Sequence, residues 1–168
     1  LTIAGMRRDF KSSRSGHYRA RPKTCALFEH EYEQAVPDEE WKRTAETVER
    51  CLRNYYASDI HARIAGSDRG GWLETEQLRD FVLDGVKVYV RLDFAMREEG
   101  VVVIYDWKTG ASDESDNSAQ MACYAFYARE RWGAAPTLVR PTEYNVNRNE
   151  VLVHALTEAD LERTREYM

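Results

Sequence analysis

No stretch of this sequence approaches the ~18 uninterrupted apolar residues that a membrane-spanning helix requires. The opening LTIAGMRRDFKSS also lacks the long apolar block of a secretory signal. The chain is therefore expected to be cytoplasmic, with no membrane partner. Cysteine is scarce: Cys25, Cys51 and Cys123 are odd in number and widely spaced, which excludes a disulfide framework and a C-x-x-C zinc pair. Nine glycines and four prolines in 168 residues are too few for a collagenous or low-complexity chain, and 43% hydrophobic content is enough for one globular core. There is no glycine-rich phosphate loop, so an ATP-driven motor would have to come from another chain or region. His17, His30, His61 and His154 lack close metal-ligand spacing and read as surface residues of helix, loop or strand.

What is present is charge, unevenly spread. The net charge of −5 argues against wrapping an extended polyanion. Residues 1–24, however, hold Arg7, Arg8, Lys11, Arg14, Arg19, Arg21 and Lys23 against Asp9 alone, a local +6, which leaves −11 on residues 25–168. The N-terminal segment reads either as a basic arm that meets phosphates or as a solvated, partly disordered terminus, and charge alone does not choose. Some of the acidic excess is expected to gather around a divalent cation, which would reverse the local sign.

Apolar periodicity organises the rest. Thr24 to Gln34 and Asp38 to about Ile60 read as two helices separated by Pro37. In the second, Trp41, Ala45, Val48, Leu52 and Tyr55 recur at helical spacing behind an acidic start. After a glycine-rich loop at 65–71, residues 72–83 read as a strand pair or one bent strand. Asp84-Gly85 is a hairpin turn into Val86 to Phe94, where apolar residues alternate with Lys87, Tyr89, Arg91 and Asp93. Val101 to Lys108 begins as the continuous apolar run of a central strand covered on both faces. A helix at 115–132, strands near 137–146 and 150–156, and a helix from Thr157 complete the pattern, and the short final helix leaves room for a longer parent protein. The fold class expected is mixed α/β, with a central mixed sheet flanked by helices.

The chemistry concentrates at Asp106-Trp107-Lys108. Residues i and i+2 of a strand share a face, so the Asp106 carboxylate and the Lys108 ammonium emerge together. Asp93 lies thirteen positions earlier, on the polar face of the preceding strand, where hairpin pairing would bring it to Asp106. Two carboxylates and a lysine suit metal-assisted phosphodiester hydrolysis, with hard oxygen ligands for Mg²⁺ or Mn²⁺ and a cation to orient the attacking water. The alternative is an ordinary acid–lysine cluster at a sheet edge. Against it stands the apolar run from Val101 to Ile104, since charges buried at the end of such a strand are costly unless paired or coordinated.

Beyond D-x-K, the sequence holds Val90-Arg91-Leu92-Asp93, then Val103-Ile104-Tyr105-Asp106-Trp107-Lys108-Thr109-Gly110, then Gln120-Met121-Ala122-Cys123-Tyr124. In this order and spacing, from about Leu27 to Leu156, it resembles the PD-(D/E)XK nuclease superfamily and, within it, the RecB-like branch. The resemblance implies a restriction-endonuclease-like core and Mg²⁺-dependent cleavage of DNA, with Mn²⁺ as a substitute metal and a role in DNA repair. It implies metal ligation by Asp93 and Asp106, Lys108 as the catalytic lysine, and the Trp107 carbonyl as a further ligand. Gln120 and Tyr124 match the helical motif associated with DNA contact and site integrity, and Tyr127 shares their helix face as a groove or core residue. The nuclease-like domain would span 25–168, after the basic arm at 1–24.

The family's usual upstream helical histidine is replaced here, at the corresponding place, by Glu49. As a hard oxygen donor it suits Mg²⁺, while its alternative role is an i,i+4 surface pair with Arg53. Glu46 is the other helix candidate. Glu76 matches the additional acid of the branch, with Glu74 on the same strand face as its competitor. Arg91, beside Asp93, is a candidate DNA contact. Some RecB-like nucleases carry an iron–sulfur cluster, but no downstream cysteine trio follows Cys25, so no cluster is expected. Lys108-Thr109-Gly110 also matches a motif of penicillin-recognising enzymes, yet no lysine follows a serine by three, which excludes that chemistry. Two functions result: a metal-dependent deoxyribonuclease acting on single- or double-stranded DNA, or a non-catalytic nucleic-acid-binding or protein-interaction module on the same scaffold.

Overall fold

A computed structural model describes residues 2–21, 23–111 and 117–167. The chain divides into two units, Leu1–Asn54 and Tyr55–Met168. None of its described helices is long and apolar enough to cross a membrane.

In the first unit, helix α1 (Thr2–Arg14) replaces the irregular arm that composition suggests. Phe10 and Ser13 turn one face of it inward, and the Phe10 ring lies 5.4 Å from that of His30 and 6.1 Å from that of Trp41. The helix expected at Thr24 to Gln34 shrinks to the single turn α2 (Phe28–Glu31). Its start is diverted because Leu27 N–H donates to Ser13 Oγ at 2.9 Å, and the turn is followed at once by left-handed Glu33 (φ 56°). Helix α3 (Asp38–Ala57) forms over the expected stripe, but only Ala45 of it is buried, with Trp41, Val48 and Tyr55 half-buried and Leu52 exposed. It stops short of Ile60 because Ser58 caps a new helix, α4 (Asp59–Gly66), accepting from His61 N–H at 3.1 Å.

The second unit is built on a five-stranded sheet of order β1-β4-β5-β6-β7, comprising β1 (Trp72–Thr75), β4 (Phe94–Glu98), β5 (Val101–Lys108), β6 (Val139–Asn145) and β7 (Glu150–Val153). Only β5 and β6 run parallel, and the crossover between them carries helix α5 (Ser118–Trp132). The described helix starts at Ser118, and the expected residues 115 and 116 lie outside those described. Strands β2 (Leu78–Leu83) and β3 (Val86–Arg91) form a separate two-stranded sheet. Their turn, Asp84-Gly85, has positive φ at both residues, as a type I′ hairpin requires. Helix α6 (Glu158–Tyr167) follows β7.

Residues 72–83 are thus two strands in two sheets, separated where Glu76 turns the chain at φ 52°. The segment Val86 to Phe94 is likewise not one strand. It breaks at Leu92-Asp93, and the strand that pairs with β5 is β4, in the register Phe94↔Tyr105.

Period-two alternation along β5 builds two cores, one on each face of the sheet. Val102 and Ile104 join Ala95, Val139, Met121, Ala125 and Leu161 on the side of α5 and α6. Val103 and Tyr105 join Phe94, Met96 and Ile64 on the side of α4. This double coverage explains the unbroken apolar run at the start of β5.

The short 3₁₀ turn Arg69–Gly71 packs so closely on β4 that a Cβ at Gly71 would stand 2.9 Å from the Arg97 carbonyl oxygen. Gly71→Ala is therefore expected to lower unfolding stability in urea by about 1–3 kcal/mol. Gly66→Ala, which has open space around it at the end of α4, should be neutral or mildly stabilising. Equal stabilities for the two variants would refute the close-contact argument.

Candidate active site

The same alternation that fills the core continues to the end of β5, placing Asp106 and Lys108 on the α5 side and Trp107 on the other. Trp107 stacks on Tyr105 (5.4 Å, 6°) and meets the edge of Tyr55 at 5.4 Å. Asp106 is only 4% exposed. A carboxylate so buried must be hydrogen-bonded or paired, and α5 supplies the partners. Tyr124 donates its hydroxyl to Asp106 Oδ1 at 2.8 Å, and Gln120 Nε2 donates to the same oxygen at 3.2 Å. Gln120 Nε2 also donates to the Tyr124 oxygen at 2.7 Å, while Gln120 Oε1 accepts from Lys108 Nζ at 3.1 Å. An ammonium has no acceptor, so the amide orientation is dictated by its neighbours. Gln120 and Tyr124 stand one helical turn apart, which is what allows both to reach one carboxylate.

Lys108 Nζ lies 2.6 Å from Asp106 Oδ2. The contact is ionic but out of hydrogen-bond alignment, so this buried oxygen accepts no hydrogen bond from the described residues. Burial pushes the Tyr124 hydroxyl pKa far above its ordinary value, and the Asp106 charge adds to the shift. Tyr124 is accordingly a fixed donor.

Asp93 sits one step before Phe94, whose partner in the β4–β5 register is Tyr105, the residue next to Asp106. Its Oδ2 accepts the Trp107 N–H at 2.7 Å, so a side chain takes over the ladder bond where the strand gives out. The carboxyl pKa of Asp93 is raised, mainly by burial. The Trp107 hydrogen bond opposes the shift, the negative charges of Asp106 and Glu76 add to it, and Lys108 lowers it. Glu76 comes close because its own N–H is shared between the carbonyls of Leu92 (2.9 Å) and Asp93 (3.3 Å). Glu74 goes elsewhere, accepting from Arg79 at 3.0 and 3.3 Å and from the Tyr127 hydroxyl at 3.1 Å. Tyr127 is thus a core residue with a bonded hydroxyl.

Arg91 is exposed at the end of β3. Glu49 and Glu46 lie on α3 in the first unit, both exposed. The Glu49 carboxylate accepts from Arg53 at 2.8 Å, the i,i+4 pair that its spacing allows. Among the described residues, no group of three or more His, Cys, Asp or Glu side chains is gathered closely enough to hold a metal ion.

One buried network escapes a sequence reading. Glu143 on β6 is directly in register with Asp106. Its Oε1 lies 2.7 Å from His154 Nε2, and its Oε2 accepts from Asn117, the N-cap residue of α5. His154 is therefore largely enclosed rather than a surface residue. The available signal was a glutamate flanked by Pro141, Thr142 and Tyr144 in a strand whose neighbours are buried on both faces.

A mixed sheet with helices on both faces, an Asp and a D-x-K at adjoining strand ends, and a Gln/Tyr helix laid across them define a nuclease-type fold. The family model of the PD-(D/E)XK nuclease superfamily matches residues 6–168, and the chain belongs to that superfamily. No curated protein matches the chain. Among solved structures, the crystal structure of SSO0001 is similar with a TM-score of 0.35 and 18% identity, over 76% of this chain and 68% of that one.

Removing the Tyr124 hydroxyl takes away the shortest hydrogen bond to a buried carboxylate. Tyr124→Phe is expected to cost about 1.5–3 kcal/mol in denaturant unfolding, and a variant as stable as its parent would show that Asp106 draws nothing from this bond.

Proposed function

We propose that the chain is a Mg²⁺-dependent deoxyribonuclease that hydrolyses phosphodiester bonds at the Asp93, Asp106 and Lys108 cluster. The observation that carries this reading is the buried Asp106 carboxylate, one oxygen of which accepts no hydrogen bond among the described residues and faces the Lys108 ammonium at 2.6 Å, with Asp93 close by, its carboxyl pKa raised mainly by burial and further by the Asp106 charge. Gathered negative charge of this kind is relieved by a divalent cation, and carboxylate oxygens are the donors that Mg²⁺ takes. Asp93 and Asp106 would hold the ion, with Mn²⁺ as a substitute and the Trp107 carbonyl as a further ligand. Once bound, such an ion offsets charge on the phosphate and makes water more acidic.

The remaining work falls to the chain itself. Lys108, tied to Gln120 and Asp106, can only donate hydrogen bonds, so it orients the incoming water and offsets charge growing on the phosphate oxygens. Gln120 holds the ammonium and the carboxylate at a fixed separation. Tyr124 keeps Asp106 aimed while remaining protonated. Glu76 adds negative charge beside Asp93, and Arg91 supplies a cation two residues before it, suited to the DNA backbone. Glu49, exposed and paired with Arg53, is left out of the ligand set.

The competing reading is a non-catalytic module on the nuclease scaffold, and it draws on the lack of a three-ligand cluster among the described residues. Calorimetric titration with Mg²⁺ separates the two: the nuclease reading expects binding that Asp93→Ala abolishes, the scaffold reading no site-dependent heat. Asp106→Asn should retain the fold by circular dichroism yet reduce DNA cleavage to background. Lys108→Ala should lower turnover on the order of 100-fold, with a smaller effect on DNA binding, and Glu49→Ala should cut nearly as fast as the parent. Cleavage by Asp106→Asn at the parental rate would overturn the assignment.

A further inference from the structure

The β2–β3 hairpin has two unlike faces. Its inward pairs are Arg79↔Val90, Phe81↔Val88 and Leu83↔Val86, with Phe81 and Val90 buried in the core. The Phe81 ring stands 6.5 Å from Phe126 and 6.3 Å from Tyr127 of α5, which fixes the hairpin against that helix. Its outward pairs are Leu78↔Arg91, Asp80↔Tyr89 and Val82↔Lys87, and all six residues are exposed. Tyr89 is 63% exposed at the centre of this face. Lys87 Nζ lies 5.6 Å from the Tyr89 ring centroid and 3.3 Å from Asp80, so Lys87 and Asp80 offset one another. Arg91 has no hydrogen bond, ion pair or ring contact with the described residues, which leaves the face a net cation. From Arg91 the chain passes through buried Leu92 directly to Asp93.

We infer that this outward face docks an unpaired DNA strand, with Tyr89 stacking on a base and Arg91 pairing with the backbone phosphates beside the candidate active site. The inference rests on the nuclease reading and deepens it by naming a single-stranded substrate. An accessible aromatic ring on a rigid strand, next to a cation with nothing to neutralise it, is the combination that holds single strands without reading their sequence. Stacking on Tyr89 requires the face of a base to be free, and in a duplex the neighbouring base pairs cover it. A protein partner is the poorer fit. Leu78 and Val82 are set apart by Tyr89, Asp80 and Lys87 instead of forming the continuous apolar centre that a stable protein interface uses.

Fluorescence anisotropy in EDTA, with labelled oligothymidylate, oligouridylate and a blunt DNA hairpin closed by a non-nucleotide linker in place of loop bases, tests the inference on the full chain. The parent should bind oligothymidylate more tightly than the blunt hairpin. Tyr89→Ala should weaken oligothymidylate binding by roughly tenfold and leave the hairpin's affinity unchanged, while Tyr89→Phe should bind as the parent does. Arg91→Gln should weaken binding and reduce its salt dependence by about one ion. Parental affinity in Tyr89→Ala, an equal loss for single strand and hairpin, no binding to DNA at all, or tighter binding of oligouridylate would each overturn the inference. Failure of the nuclease reading is told apart by Asp106→Asn. Undiminished cleavage by that variant, alongside the expected Tyr89 effects in EDTA, would remove the active-site assignment and leave the docking face standing.

Discussion

The architecture of the second unit turns on a single costly act, the burial of the Asp106 carboxylate at the end of a strand whose earlier residues are hydrocarbon. Such a charge is tolerated only where donors and a counter-ion are held against it, and meeting that demand constrains several elements at once. Helix α5 must lie with Gln120 and Tyr124 facing the strand, β5 must remain regular for two more residues so that Lys108 follows on the same side, and β4 must begin where Asp93 can take the Trp107 amide. The crossover from β5 to β6 is what carries α5 over this face. Fold and candidate site are therefore one problem in electrostatics, solved together.

Much of this was legible in the sequence because it rests on short-range periodicity. The period-two pattern of Val101 to Lys108 fixes which side chains share a face, and the turn chemistry of Asp84-Gly85 fixes a hairpin. The convergence of Asp93 with Asp106 was also foreseeable, although its route was not. An unbroken strand from Val86 would have made Asp93 part of a hairpin with β5, whereas the chain breaks at Leu92-Asp93 and changes sheets. Alternation in the sequence runs straight through that break, since Leu92 and Phe94 are buried in either arrangement. Which strand pairs with which is a long-range matter that local pattern does not encode.

The unforeseen features share that character. Ser58 reads as one more polar residue in a helical stretch until its hydroxyl is seen to cap α4, and Ser13 acquires its role through Leu27 and His30, fourteen and seventeen residues away. Glu143, His154 and Asn117 come from three separate segments. None has a partner at helical or strand spacing, and His154 reads as an ordinary surface residue. A buried polar network drawn from distant segments leaves no periodic trace, and its only signature is a charged residue in a strand otherwise destined for the core.

The two faces of β5 divide the labour between shape and charge. On the α4 side, Tyr105 and Trp107 stack on one another, and the polar group this face has to accommodate is the buried Tyr105 hydroxyl. On the α5 side, Val102 and Ile104 give way to Asp106 and Lys108, so apolar packing passes into an ionic cluster within a single strand. Because both faces are anchored by the same backbone, the Trp107 amide that steadies Asp93 cannot move without disturbing the aromatic stack behind it. Rigidity from the hydrocarbon side is thereby transmitted to the carboxylates. Groups that must hold charge at fixed separation gain from this coupling, since a preorganised cluster need not rearrange when an ion or a phosphate arrives.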